Sequence, residues 1–217
     1  MATSPEPVCE LDAVSIVFAG NLNPSILQPQ WLARHELVGE AEARDATIEI
    51  IRPEVVSLKI GPFLINATHE RAAFEVASVS FSQLLTDLVT GVFAILGETP
   101  VTGVGINRTM HFKMFTQDAW HRVGHALAPK ERWEGILDDA GTRSVTLRGT
   151  RPGRIGANTQ VTVEPSNRIP MGVFFAFNEH APVASVSEAL SVINAHSSAV
   201  WEHALLSAKK LVKLGGG

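Results

Sequence analysis

The segment from Ala46 to Val76 constrains the fold more than any other part of this chain. Its apolar residues recur with period two: Ile48 and Ile50, then Val56, Leu58 and Ile60 alternating with Val55, Ser57 and Lys59, then Phe63 to Asn66 and Ala73 to Val76. The breaks between these runs are Pro53-Glu54, Gly61-Pro62 and His69-Glu70-Arg71. Parallel strands need a crossover of about a dozen residues, so connections this short dictate an antiparallel meander of three or four strands.

The rest of the chain is read against that meander. Ala13 to Ala19 is an apolar run that stops at Gly20-Asn21 and reads as a buried strand, and Pro29 opens a short helix. Ser80 and Gln83 have the spacing of a capping box, followed by Phe81, Leu84, Leu85, Leu88, Val92, Ile95 and Leu96 at helical intervals up to Gly97. Val89 and Phe93 widen that stripe, which points to this helix as the central one. Val101 to Lys113 reads as a long strand with Met110 and Phe112 on one side and Thr109, His111 and Lys113 on the other. Thr116 caps a helix that Pro129 ends, with a turn around Trp133 and Leu137 beyond it. Val145 to Arg148, Gln160 to Glu164 and Gly172 to Phe177 supply three further strands. The last helix starts at Ser185-x-x-Glu188 and buries Leu190, Ile193, Val200, Trp201, Ala204, Ala208 and Leu211.

Strands then helix, followed by strands then helix, imply an α+β fold with a mainly antiparallel sheet of about six to eight strands, covered by helices on one face. At 217 residues the chain is expected to be one domain, built from two strand-then-helix halves, 1–97 and 98–217.

Composition excludes several classes of function. A net charge of −4 supplies no global field for polyanions, so nucleic-acid binding is disfavoured without a local basic patch. The single cysteine, Cys9, makes neither an internal disulfide nor a cysteine zinc cluster. No leader-like or membrane-spanning stretch stands out, which leads us to expect a cytoplasmic protein without a membrane partner. No phosphate loop, nucleophile elbow, zinc-protease helix or Cys-x-x-Cys pair occurs, and Gly103-Val104-Gly105 lacks the third glycine of a dinucleotide fingerprint, so no cofactor is implied. Gly103 and Gly105 are better explained by a bulge or a close backbone approach.

Three sets of residues are candidates for a site. Asp118, His121 and His125 fall on one helical face, where two imidazoles and a carboxylate could hold a divalent metal; the competing reading is the solvated side of an amphipathic helix. Arg143, Arg148, Arg151, Arg154 and Arg168 crowd into 26 residues containing one acid, Glu164, and could present guanidinium forks to an anion or a partner. Trp201 and Leu205 on the last helix are candidate contact residues, because interface hot spots favour tryptophan and arginine.

Val104-Gly105-Ile106-Asn107-Arg108 at mid-chain, with Ala195 to Glu202 on the last helix, resembles a large family of uncharacterised bacterial proteins. Members carry an Arg-Tyr-Ile-Asn motif in a mid-chain strand and a histidine ahead of an aromatic-Glu pair in a C-terminal helix; here Val104 and Gly105 stand where the family has Arg and Tyr. The resemblance implies a fold type and a bacterial or phage context, and no chemistry. With no catalytic constellation and a surplus of apolar residues, the expected function is a non-enzymatic protein-binding or self-assembling subunit, such as an accessory component of a multi-protein system. The alternatives are a metal- or phosphate-dependent enzyme and a nucleic-acid accessory protein.

Overall fold

The computed structural model describes residues 6–151 and 156–215. Its strands are β1 (Val8–Gly20), β2 (Thr47–Arg52), β3 (Val55–Ile60), β4 (Phe63–Thr68), β5 (Arg71–Val76), β6 (Val101–Lys113), β7 (Val145–Gly149), β8 (Asn158–Pro165) and β9 (Gly172–Pro182). The helices are α1 (Pro29–Arg34), α2 (Glu40–Arg44), α3 (Ser82–Ile95), α4 (Gln117–Leu127) and α5 (Val186–Val212). The strands make one antiparallel sheet of nine in the order β2-β3-β4-β5-β1-β6-β9-β8-β7, so the fold is α+β with one strand more than expected. All four period-two runs of the meander pair in sequence.

The two halves of the chain meet at the centre of the sheet. Each begins with a long strand, passes through helices, and returns by a meander whose last strand lies beside the first, β5 against β1 and β9 against β6. The two first strands then pair antiparallel over their whole length, from Val8 opposite Lys113 to Gly20 opposite Val101. At Gly20, where the register shifts, a Cβ would run into the backbone of Pro100 and Val101, so the close approach demands glycine.

Period two decides which face is covered. Val14, Ile16 and Phe18 of β1 are buried, as are Phe74 of β5, Ile65 of β4, Leu58 of β3 and Ile106 of β6, and these side chains line one face in register. Helix α3 packs on β1 and β5 there: Phe93 stacks on Phe18 with centroids 3.6 Å apart and meets Phe74 edge-on at 6.1 Å. α5, of 27 residues, packs over β6 and β9, so it and the helix ending near Gly97 share the middle of the sheet.

The caps follow their sequence signals with small displacements. Thr116 accepts from the Ala119 N–H at 3.1 Å, and Ser185 accepts from Glu188 at 3.2 Å while the Glu188 carboxylate reaches back to the Ala184 N–H. Ser80 does not cap α3. Ser78 instead caps a 3-10 turn over Val79–Phe81 that leads into α3, and Gln83 turns to Asp87.

Because Phe93 joins α3 to two strands, Phe93→Ala is expected to lower the unfolding free energy by about 3–5 kcal/mol in chemical denaturation, while Leu84→Ala on the exposed side of α3 has little effect.

Candidate functional site

Two buried charges interrupt the apolar face beneath α5. By alternation, Arg108 sits among the inward residues of β6 and Glu179 among those of β9, each 4% exposed. Arg108 grips Asp12 of β1 with a bidentate fork, Nε to Oδ1 at 2.8 Å and Nη2 to Oδ2 at 2.6 Å, and its third nitrogen donates to the Trp201 carbonyl at 2.6 Å. Glu179 accepts from Arg151 Nε at 2.9 Å. These groups lie between two apolar clusters, one under α3 and the first half of α5, the other around Met110, Phe112 and Phe175. Full pairing makes such burial tolerable, since an unmatched charge there would carry a desolvation penalty of several kcal/mol, on the order of that of a broken buried ion pair.

This belt corrects part of the sequence reading. Trp201 is not a surface contact: it is 4% exposed, and its indole Nε1 donates to the Asn107 carbonyl at 3.0 Å. Its place in the apolar stripe of the helix outweighed the preference of tryptophan for interfaces. Leu205 is half-buried against the second cluster. The arginines do not converge. Arg148 is on the helix-free face bonded to Gln160 at 2.7 Å, Arg151 turns inward to Glu179, Arg143 and Arg168 are exposed, and Arg154 lies outside the described residues.

Asp118, His121 and His125 are all exposed on α4, and no group of three metal-ligating side chains is gathered among the described residues. The two histidines instead border a cleft of about 520 Å³ between α4 and β8. Its floor is apolar, with Trp120, Val123, Leu127 and Val163, and its rim holds Lys130 and Glu164. Thr142 closes one end, donating to the Gly124 carbonyl at 3.0 Å and accepting from Lys130; Glu164 accepts from Ser144 at 2.9 Å. Lys130, Thr142 and Glu164 are thus bonded within the protein, and His121 and His125 add to the polar lining.

The helix-free face carries one pair with the look of a nucleophile and base, Ser166 and His111, 2.8 Å apart. The N–H groups of Arg168 and Ile169 donate to Ser166 Oγ at 3.1 and 3.0 Å, which fills its lone pairs and sends its proton to His111 Nδ1. The pair therefore fixes the turn before β9. Burial, then the nearby Arg168 charge, holds the His111 pKa below the ordinary value, as a proton-accepting Nδ1 requires. Burial does the same for His203, reinforced by Arg151 and opposed by Glu179. Cys9 is held at a pKa of about 11, first by burial and then by Asp12, and so remains a thiol. Gly103 makes room for a side chain and not for backbone, with the His180 ring lying where a Cβ would be, and Gly105 has only ordinary contacts around it, so the close backbone approach expected at these glycines is not found. The register shift of β1 against β6 falls between the Val101 and Gly103 pairings, and none falls at Gly105.

The stretch of chain from the end of β6 to β7 is different in character. Phe115, Trp133, Ile136, Leu137 and Leu147 are 44%, 47%, 68%, 56% and 68% exposed, all within the stretch from the end of β6 to the edge strand. Sequence reasoning missed Leu147, whose alternation with Thr146 and Arg148 marks an inward position on a strand that has no outer neighbour. The sequence matches no protein-family model, and no curated protein matches it.

Breaking the belt from one side should cost more than removing it. Arg108→Ala and Asp12→Ala are expected each to destabilise, Arg108→Ala by about 3–5 kcal/mol, with the double variant losing less than the sum in a denaturation cycle. The pH dependence has a defined sign. The unfolded chain protonates its histidines near the ordinary 6.5 while folded His111 and His203 resist, so stability falls as pH drops through and below that value. His203→Gln should make that fall shallower in thermal melts.

Proposed function

We propose that this chain is a non-enzymatic subunit that works by associating with protein, in the first instance with copies of itself. The observation that supports this most is the number of exposed apolar side chains in the stretch of chain that leads into the β7 edge strand. Five of the 14 large hydrophobic residues left exposed among the described residues lie between Phe115 and Leu147, including the two most exposed, Ile136 and Leu147. Scattered surface hydrophobes need no explanation, whereas a concentration of them in one segment that ends at an open sheet edge supports a partner surface there.

The chemistry around the cleft supports the same reading. Lys130, Thr142, Ser144 and Glu164 satisfy one another, and Ser166 is committed to its turn. The arginines point to opposite faces of the sheet, which weakens a phosphate or nucleic-acid function built on them.

Light scattering coupled to size exclusion, run across a wide concentration range, should report a particle heavier than the 23.3 kDa of one chain. A single-chain mass at every concentration would remove the self-association reading.

A further inference from the structure

We propose that β7 is the assembly edge: it pairs antiparallel with β7 of a second copy about a two-fold axis at Leu147, joining two nine-stranded sheets into one. This rests on the self-association reading and names its surface and its partner.

The two edges of the sheet are built differently. The outer strand β2 carries a bulge between Ile48 and Ile50, has Glu49 within it, and is followed by Pro53 and Glu54. Bulges, charges and proline are the devices by which proteins block pairing at an edge. β7 lacks the bulge and the proline: its register with β8 is regular from Val145 to Gly149, and it holds no acidic residue. Its one charge, Arg148, is drawn back to Gln160 of its own sheet.

Leu147 also ends a row that starts in the core. Phe63, Val76, Val14, Arg108, Phe177, Val161 and Leu147 are successive cross-strand neighbours on the helix-covered face. Phe63 through Phe177 are buried and Val161 is half-buried, but Leu147 is 68% exposed. A neighbouring strand that set a leucine beside it would extend the row past the edge.

The strand is complementary to itself in one register. Centring the pair on Leu147 places it against Leu147 of the second copy, Thr146 against Arg148, and Val145 against Gly149, so that all five residues of β7 pair and no like charges meet. Centring on Arg148 sets two guanidinium groups opposite each other, and centring on Thr146 leaves Arg148 and Gly149 without a partner in β7. A copy's net charge of −4 is a weak obstacle once salt screens it.

Directly opposed residues of antiparallel strands have Cα atoms about 4.5–5.5 Å apart, within disulfide reach. In the full chain with Cys9→Ser, Leu147→Cys should cross-link to a dimer under mild oxidation. Thr146→Cys and Arg148→Cys should each fail alone and cross-link when mixed. Leu147→Lys, at an exposed position that leaves the fold intact by circular dichroism, should weaken dimerisation at least tenfold. No Leu147→Cys cross-link, or a dimer untouched by Leu147→Lys, overturns the pairing. If the chain still associates in those experiments, only the choice of edge is wrong; if it is monomeric throughout, the self-association reading fails as well.

Discussion

The antiparallel pairing of β1 with β6 is the constraint on which the rest of the structure depends. Each strand is 13 residues long, and together they bridge the two halves of the chain, so the meander on either side inherits its position from this pair. The pairing also brings Asp12 and Arg108 to the same face, where neither half could satisfy its charge alone. Arg108 then donates to the backbone of α5, and Trp201 of α5 donates to the backbone of β6, which pins the longest helix across the central strands at one place. An apolar helix face can slide over an apolar sheet at little cost; these directional bonds remove that freedom.

The same arrangement explains why the inward face of the sheet is left open at one margin. α3 and α5 cover β1, β5, β6 and β9, and α4 packs on the end of α5 around Gly215 rather than over the edge strand. The inward face of the sheet therefore runs out from under its helices as it approaches β7. Arg151 after β7 and buried Ala157 before β8 tie this pair of strands back to β9 and the main core, while the outer side of β7 stays open. Burial falls from complete at Val14 to slight at Leu147 along a single row of neighbours.

Much of this was legible in the sequence. The meander, the long mid-chain strand and the Thr116 and Ser185 caps follow from local spacing, because alternation and capping depend on residues a few positions apart. The parity of β6 places Arg108 on the side of Met110, whereas Glu179 lies beyond the Gly172 to Phe177 run that the sequence marks as a strand. Their partners Asp12 and Arg151 are 96 and 28 residues away, so nothing local showed that the charges would be satisfied. Without partners in view, arginines in a hairpin read as surface groups, and the tryptophan read as both core and contact.

The sequence by itself determined the elements, their periods and the antiparallel sense of the sheet, since short connections and side-chain alternation leave few other solutions. Only the tertiary structure decided which edges stay open, which charges are spent inside, and that Asp118, His121 and His125 stand exposed on α4. The physical reason is that these outcomes depend on groups far apart in the chain, whose meeting is fixed by packing around the central strand pair.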